Sequence, residues 1–264
     1  MQFNWIIVSG FLYGACFGPA FAADINKIAS STDAVSTPPE PVDMLLCLTA
    51  DVSESVTKEE YALQKRGHAA AIADPEVVDI IENGAHGRIA VLYVEWAKQD
   101  QQFLGVDWHV IEDANSARAF SQKINNSPPP PWIDWKVRNT ATSAIIRYCV
   151  KQFALAPVTS TKRVIDISSD GTNNVGTQVT AYRDEAVSQG VVINALAIED
   201  SVSPFPDGTH TRPNGGLVNY FKNNVVGGTG SFVQRAKGYA SFGEMIKRKF
   251  LLELASNTTA IDRP

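Results

Sequence analysis

Four segments of strand length limit this chain more than anything else in it: MLLCLTA (44–50), GRIAVLYVEWA (87–97) and VVINALAI (191–198), which are mainly apolar, and KRVIDISSDG (162–171), which reads as a buried strand ending in an acid. A strand on a one-sided sheet alternates polar and apolar residues, whereas a strand apolar throughout must be covered on both faces. Between these runs lie segments of helical period, and strands alternating with helices argue for a parallel sheet wrapped by helices. The fold predicted is α/β, a doubly wound, Rossmann-like, mostly parallel sheet with helices on both faces. FLGVDWHVI (103–111) follows 87–97 after only a short turn, too short for a parallel crossover, and is therefore the one antiparallel edge strand.

The helices announce themselves by their ends. Thr57 stands three residues before Glu60, a capping box, and opens a helix to about Ala73. Asp74-Pro75 starts a short helix that stops at Asn83-Gly84, since proline fits the first helical position and glycine the exit. Ala117, Phe120 and Ile124 mark a helical face behind Asp113, and Ile145, Ile146, Cys149 and Phe153 mark another, beginning near Thr140. Val179, Tyr182, Ala186 and Val187 give a helix stopped by Gly190. A helix at about 216–225, a strand around SFVQRA and a last helix carrying Phe242, Met245, Ile246 and Phe250 complete the order.

Polar residues cluster where two buried strands end. The first strand runs into Asp51, Ser53 and Ser55, the later one into Asp170, and one helix opens on Thr140. In an open α/β sheet such ends share one rim, and ligands bind beyond the carboxyl ends of the strands. Two carboxylates with three hydroxyls are hard oxygen donors, a set that suits Mg²⁺ or Mn²⁺, while the lack of nearby Cys or His argues against Zn²⁺.

Asp51-Val52-Ser53-Glu54-Ser55 after an apolar strand, Thr140-Ala141-Thr142 at a helix opening and Ser169-Asp170-Gly171 after a later strand resemble the metal-ion-dependent adhesion site of von Willebrand factor A domains. EEYALQKRG, DPEVV, VIDISSDGTNN and NNVVGGTGSFV are similar to a bacterial secreted subfamily of that fold without established function. The resemblance implies that Ser53 and Ser55 bind a divalent metal through their hydroxyls. It implies that Thr140 binds directly or through water, that Asp51 and Asp170 act mostly through water, and that one position stays open for an Asp or Glu of a protein partner. Glycines usually precede that threonine and here Arg138 and Asn139 do, which leaves Thr142 as a rival ligand to Thr140.

The first 22 residues contain no Lys, Arg, Asp or Glu and end Ala20-Phe21-Ala22, the small-x-small pattern of a secretory signal cleaved after Ala22. The domain plan is therefore a signal peptide at 1–22, a flexible Ser/Thr/Ala/Pro tether at 23–41, a domain at 42–255 and a tail at 256–264, with a periplasmic or secreted destination in a bacterium. Cys16 is a poor lipid-attachment match, because Tyr13 sits where a small aliphatic residue is wanted. With 23 Lys+Arg against 28 Asp+Glu there is no overall basic field to attract nucleic acid or anionic lipid, and after signal cleavage nothing predicts membrane insertion. Cys47 and Cys149 lie in apolar runs and read as buried thiols, though an oxidising compartment would permit a bridge.

Other features read plainly. No nucleophile elbow, phosphate loop or dinucleotide fingerprint is present, and Glu54 is the one acid placed to serve as a base beside a metal-bound water, so binding is favoured over hydrolysis. His68, His86, His109 and His210 make no zinc spacing. Trp132 and Trp135, in the proline-rich loop before Thr140, either anchor a partner or cap the sheet edge. Asn173 and Asn174 read as turn chemistry, with ligand contact as the alternative.

Overall fold

The structure is a computed structural model and describes residues 40–133, 139–199 and 212–255. The expected signal peptide, most of the tether and the tail lie outside the described residues, as do Cys16, Trp135, Arg138 and His210.

Among the described residues six strands form one sheet: β1 (Leu45–Asp51), β2 (Ile89–Trp96), β3 (Gln102–Ile111), β4 (Arg163–Ser169), β5 (Val191–Ile198) and β6 (Val233–Ala236), in the order β3-β2-β1-β4-β5-β6. All neighbours pair in parallel except β2 with β3, which are antiparallel as their short connection requires. Every residue of β1 and β2 is buried, which is why those runs lack polar alternation.

Among the described residues seven α-helices flank the sheet: α1 (Lys58–Ile72), α2 (Pro75–Glu82), α3 (Ala114–Asn126), α4 (Thr142–Phe153), α5 (Val179–Ser188), α6 (Leu217–Asn224) and α7 (Phe242–Ala255). Leu46, Leu48 and Ala50 of β1 face the layer of α1, α2, α3 and α7. Leu45 and Cys47 face that of α4, α5 and α6. Alternate side chains of one strand thus feed two cores. The capping box at Thr57 and Glu60 is present, and the Asp113 side chain caps α3. Gly67 lets α7 close on α1, because a Cβ there would lie 2.5 Å from Phe242 Cδ1.

Two expectations need correction. Cys47 and Cys149 are not thiols: they form a disulfide with Cα atoms 5.9 Å apart, joining the middle of β1 to α4 inside the second core. Each cysteine had an apolar setting of its own, and only the folding of α4 onto β1 reveals that the two share it. Nor does α4 open on Thr140. Its N-cap is Ala141, with no side-chain cap, so the Thr140 hydroxyl is spared capping duty.

Beneath the rim lies a buried ionic cluster that nothing in the sequence reading foresaw. Lys249 Nζ of α7 reaches Asp166 Oδ2 of β4 at 2.5 Å and Glu253 Oε1 at 2.8 Å, and Asn194 Nδ2 of β5 donates to Glu253 Oε1 at 2.8 Å. Burial holds the Asp166 carboxyl above the usual carboxylate range against the opposing pull of Lys249.

Candidate metal centre

β1 is the switch point of the sheet, the strand from which the order runs one way to β2 and β3 and the other way to β4, β5 and β6. A crevice opens at the carboxyl end of such a strand. Asp51 is the last residue of β1, Asp170 follows the last residue of β4, and the two strands pair in parallel from Leu45↔Arg163 to Ala50↔Ser168, so both acids reach the same rim. Thr140 arrives there two residues before α4, its segment tied to the end of β2 by Ala141 N–H donating to the Ala97 carbonyl at 2.8 Å.

The five side chains named from the sequence come together. Thr140 Oγ1 donates to Ser53 Oγ at 3.0 Å, Ser53 Oγ and Ser55 Oγ are 3.2 Å apart, and Ser55 Oγ donates to Asp170 Oδ1 at 2.6 Å. Because Thr140 and Ser55 both have their protons committed, Ser53 donates to Ser55, and the hydroxyls form a directed chain ending on a carboxylate. Asp51 Oδ1 accepts the Ser53 N–H at 2.9 Å, closing a local turn that swings the serines back over the strand end. Ser53, Ser55, Thr140, Asp51 and Asp170 are all buried, the most exposed being Asp170 at 7%.

The two threonines differ in their surroundings. Thr142 Oγ1 is buried and has no hydrogen-bond partner among the described residues, and Thr140 is the one beside Ser53. One further contributor went unread, and two asparagines have a larger part than the sequence suggested. Ser169 Oγ donates to Asp51 Oδ2 at 2.5 Å, fixing the second oxygen of that carboxylate. Its signal was strand parity, since Ser169 points to the same side as Ile165 and Ile167, toward Asp51. Asn173 and Asn174 do more than shape a turn: their side-chain oxygens accept the Ser143 N–H at 2.9 Å and the Thr140 N–H at 2.8 Å.

The electrostatics are those of two acids buried beside each other. Burial pushes Asp51 up to about 6 against its hydrogen bonds from Ser169 and Ser53. Burial, then the charge of Asp51, pushes Asp170 well above the carboxylate range. No Lys, Arg or His among the described residues pairs with either acid. Two acids and three hydroxyl oxygens gathered at one rim fit a hard divalent cation, whose charge would offset the repulsion between the acids. No group of three His, Cys, Asp or Glu side chains among the described residues is placed to hold an ion, so a site here depends on its hydroxyls.

Comparison with known proteins agrees with this architecture. The chain is similar to proximal thread matrix protein 1 of the mussel byssus, with TM-score 0.57 and 12% identity over 82% of this chain and 49% of that one. A further structure of that mussel protein, described as having a zinc-occupied MIDAS motif, gives TM-score 0.51 and 15% identity over 83% and 48%. The vWF domain of the type V pili tip protein Mfa5 from Porphyromonas gingivalis gives TM-score 0.50 and 12% identity over 86% and 98%. This chain thus spans about half the length of the mussel chains, and identities this low speak for the fold alone. Among curated proteins there is no match. A family profile described as "Protein of unknown function (DUF1194)" matches residues 41–258. The chain accordingly belongs to the DUF1194 family, and the fold on which it is built is that of a von Willebrand factor A domain.

Proposed function

We propose that this protein is an exported binding module that engages a protein partner through a divalent cation, Mg²⁺ or Mn²⁺, held by Asp51, Ser53, Ser55, Thr140 and Asp170. The observation that carries the reading is the pair of buried acids linked to three hydroxyls at the switch point of the sheet, with no described cation beside them. When bound, the ion would supply an electrophilic centre for an Asp or Glu of the partner, because neutral hydroxyl donors leave most of its charge unspent. The chain's own residues do the rest: Ser169 and the Ser53 N–H orient Asp51, and Ser55 orients Asp170. The zinc named for the mussel protein supports divalent occupancy without choosing the ion.

Export is supported by the Ala20-Phe21-Ala22 pattern and by the Cys47–Cys149 bridge, since disulfides persist in oxidising compartments. No helix among the described residues is long and apolar enough to cross a membrane. We read the site as one that binds and does not turn over substrate, since its acids are engaged with hydroxyls and backbone.

The test is capture of proteins from the periplasmic or secreted fraction of the host by the immobilised chain in Mg²⁺ and in chelator, beside Asp51→Ala. Capture that needs both the metal and Asp51 supports the reading, and capture indifferent to both refutes it. One observation favours a second reading: all five donors are buried, so an ion there would serve the fold and not a partner. Metal-dependent thermal stability together with metal-independent capture identifies that case.

A further inference from the structure

The residues before Thr140 are not glycines, and α4 opens on an alanine that cannot cap it, yet the Thr140 hydroxyl is held 3.0 Å from Ser53 Oγ. The hold comes from another loop. Asn174 grips both backbone groups of Thr140: its Oδ1 accepts the Thr140 N–H at 2.8 Å, and its own N–H donates to the Thr140 carbonyl at 3.0 Å. Asn173 Oδ1 accepts the Ser143 N–H at 2.9 Å, one of the first-turn donors of α4 that Ala141 leaves without a side-chain cap. The Asn173 amide is itself fixed, its Nδ2 donating to the Val175 and Thr177 carbonyls at 3.3 Å, and its backbone N–H donates to Tyr220 Oη of α6 at 3.1 Å.

Both asparagines follow Asp170 by three and four residues, so a single loop presents one acid of the site and fixes the threonine opposite it. We infer that Asn173 and Asn174 are positioning residues of the metal centre, a tandem amide clamp that joins the Thr140 segment to the Asp170 loop so that donors from β1, β4 and the start of α4 meet as a preassembled set. The inference rests on the metal reading above for its purpose and on the hydrogen bonds alone for its geometry. An unclamped Thr140 segment would have to be ordered by the ion itself, and the entropy of that ordering would be subtracted from the affinity. The side-chain arm of the clamp works through acceptor oxygens, so Asn174→Asp preserves it and Asn174→Ala removes it, while the backbone N–H of residue 174 still reaches the Thr140 carbonyl.

The experiment measures Mg²⁺ titration, amide hydrogen exchange at Thr140 and Ser143, and the thermal midpoint on the full chain, Asn174→Ala, Asn174→Asp and Asn173→Ala. Asn174→Ala is expected to weaken Mg²⁺ about 10–100-fold, the usual effect of losing an outer partner of a metal ligand, and to lose protection at Thr140. Asn174→Asp is expected to keep both. Asn173→Ala is expected to expose Ser143 selectively, and it carries the comparison if Asn174→Ala does not fold. Unchanged Mg²⁺ affinity in a folded Asn174→Ala, or unchanged protection at Thr140, overturns the clamp. Should the unsubstituted chain itself take up no Mg²⁺, the metal reading falls, and exchange alone then decides: protection lost in Asn174→Ala and restored in Asn174→Asp sustains the clamp, and protection unchanged refutes it.

Discussion

The Cys47–Cys149 bridge closes a loop over a sequence separation of 102 residues, between the central strand that ends on Asp51 and the helix that starts beside Thr140. Restricting the unfolded chain over a loop of that length is worth about 4.7 kcal/mol in the chain-entropy account, and native bridges are commonly worth about 2–5 kcal/mol. For a domain of this size about 1 kcal/mol corresponds to roughly 2–4 °C in thermal midpoint, so losing the bridge should lower Tm by roughly 10–20 °C. Both cysteines are fully buried, so truncating one also leaves a small cavity, which by itself lowers stability. The two causes separate in a double-mutant cycle. If the sulfurs are bonded, Cys47→Ala, Cys149→Ala and the double variant all cost about the same, since the first change already breaks the bridge. If they are independent thiols, the costs of the single variants add. Circular dichroism melts of the three variants, with a thiol count on the denatured full chain, decide the matter. The chain has three cysteines, and a bridge leaves only Cys16 to titrate. Additive losses with three reactive thiols would refute the reasoning.

Other consequences follow from the buried charges. Glu95 accepts from Tyr61 Oη and Tyr93 Oη at 3.1 Å, and burial pushes it from 4.5 to about 7. The folded state keeps a proton that the unfolded chain releases, so the stability Glu95 contributes is full below about 4.5 and lost as pH rises through about 7. The difference in unfolding free energy, from urea titrations, between Glu95→Gln and the unsubstituted chain should change across that window by up to about 3 kcal/mol, and a flat difference would contradict the placement. Lys249→Met should cost about 3–5 kcal/mol in urea unfolding, because Asp166 and Glu253 would lose their buried cation. Asp170→Asn should raise stability in chelator, by removing repulsion from Asp51, while abolishing metal-induced stabilisation, a trade read from paired melts. Because Asp51 sits at about 6, Mg²⁺ must displace a proton at pH 5 that is already gone at pH 7.5. Calorimetric affinity should therefore be about tenfold weaker at the lower pH.

The fold was legible because its strands are buried on both faces, a condition that leaves an apolar run no other architecture would need. Asp51 and Asp170 were legible for the related reason that an acid ending such a run stands at a rim. What stayed hidden were the facts created by pairing. Asp166 sits in the middle of β4 between Ile165 and Ile167, and its reason is Lys249 on a helix more than eighty residues later. Cys47 and Cys149 each read as an ordinary buried thiol until α4 is laid on β1. Asn173 and Asn174 resembled turn residues because the groups they satisfy belong to a different loop. Ser169 could have been read, since strand parity aims it, and not the neighbouring Ser168, to the side of the sheet on which Asp51 lies.

The central claim is that Asp51, Ser53, Ser55, Thr140 and Asp170 together hold one divalent ion. Calorimetric titration of Mg²⁺ and of Mn²⁺ into the chelator-treated chain, beside Asp51→Ala, tests it most directly. The account predicts one ion per chain, lost in Asp51→Ala although that variant still folds. Binding that survives Asp51→Ala, or no binding of either ion to the unsubstituted chain, would contradict it.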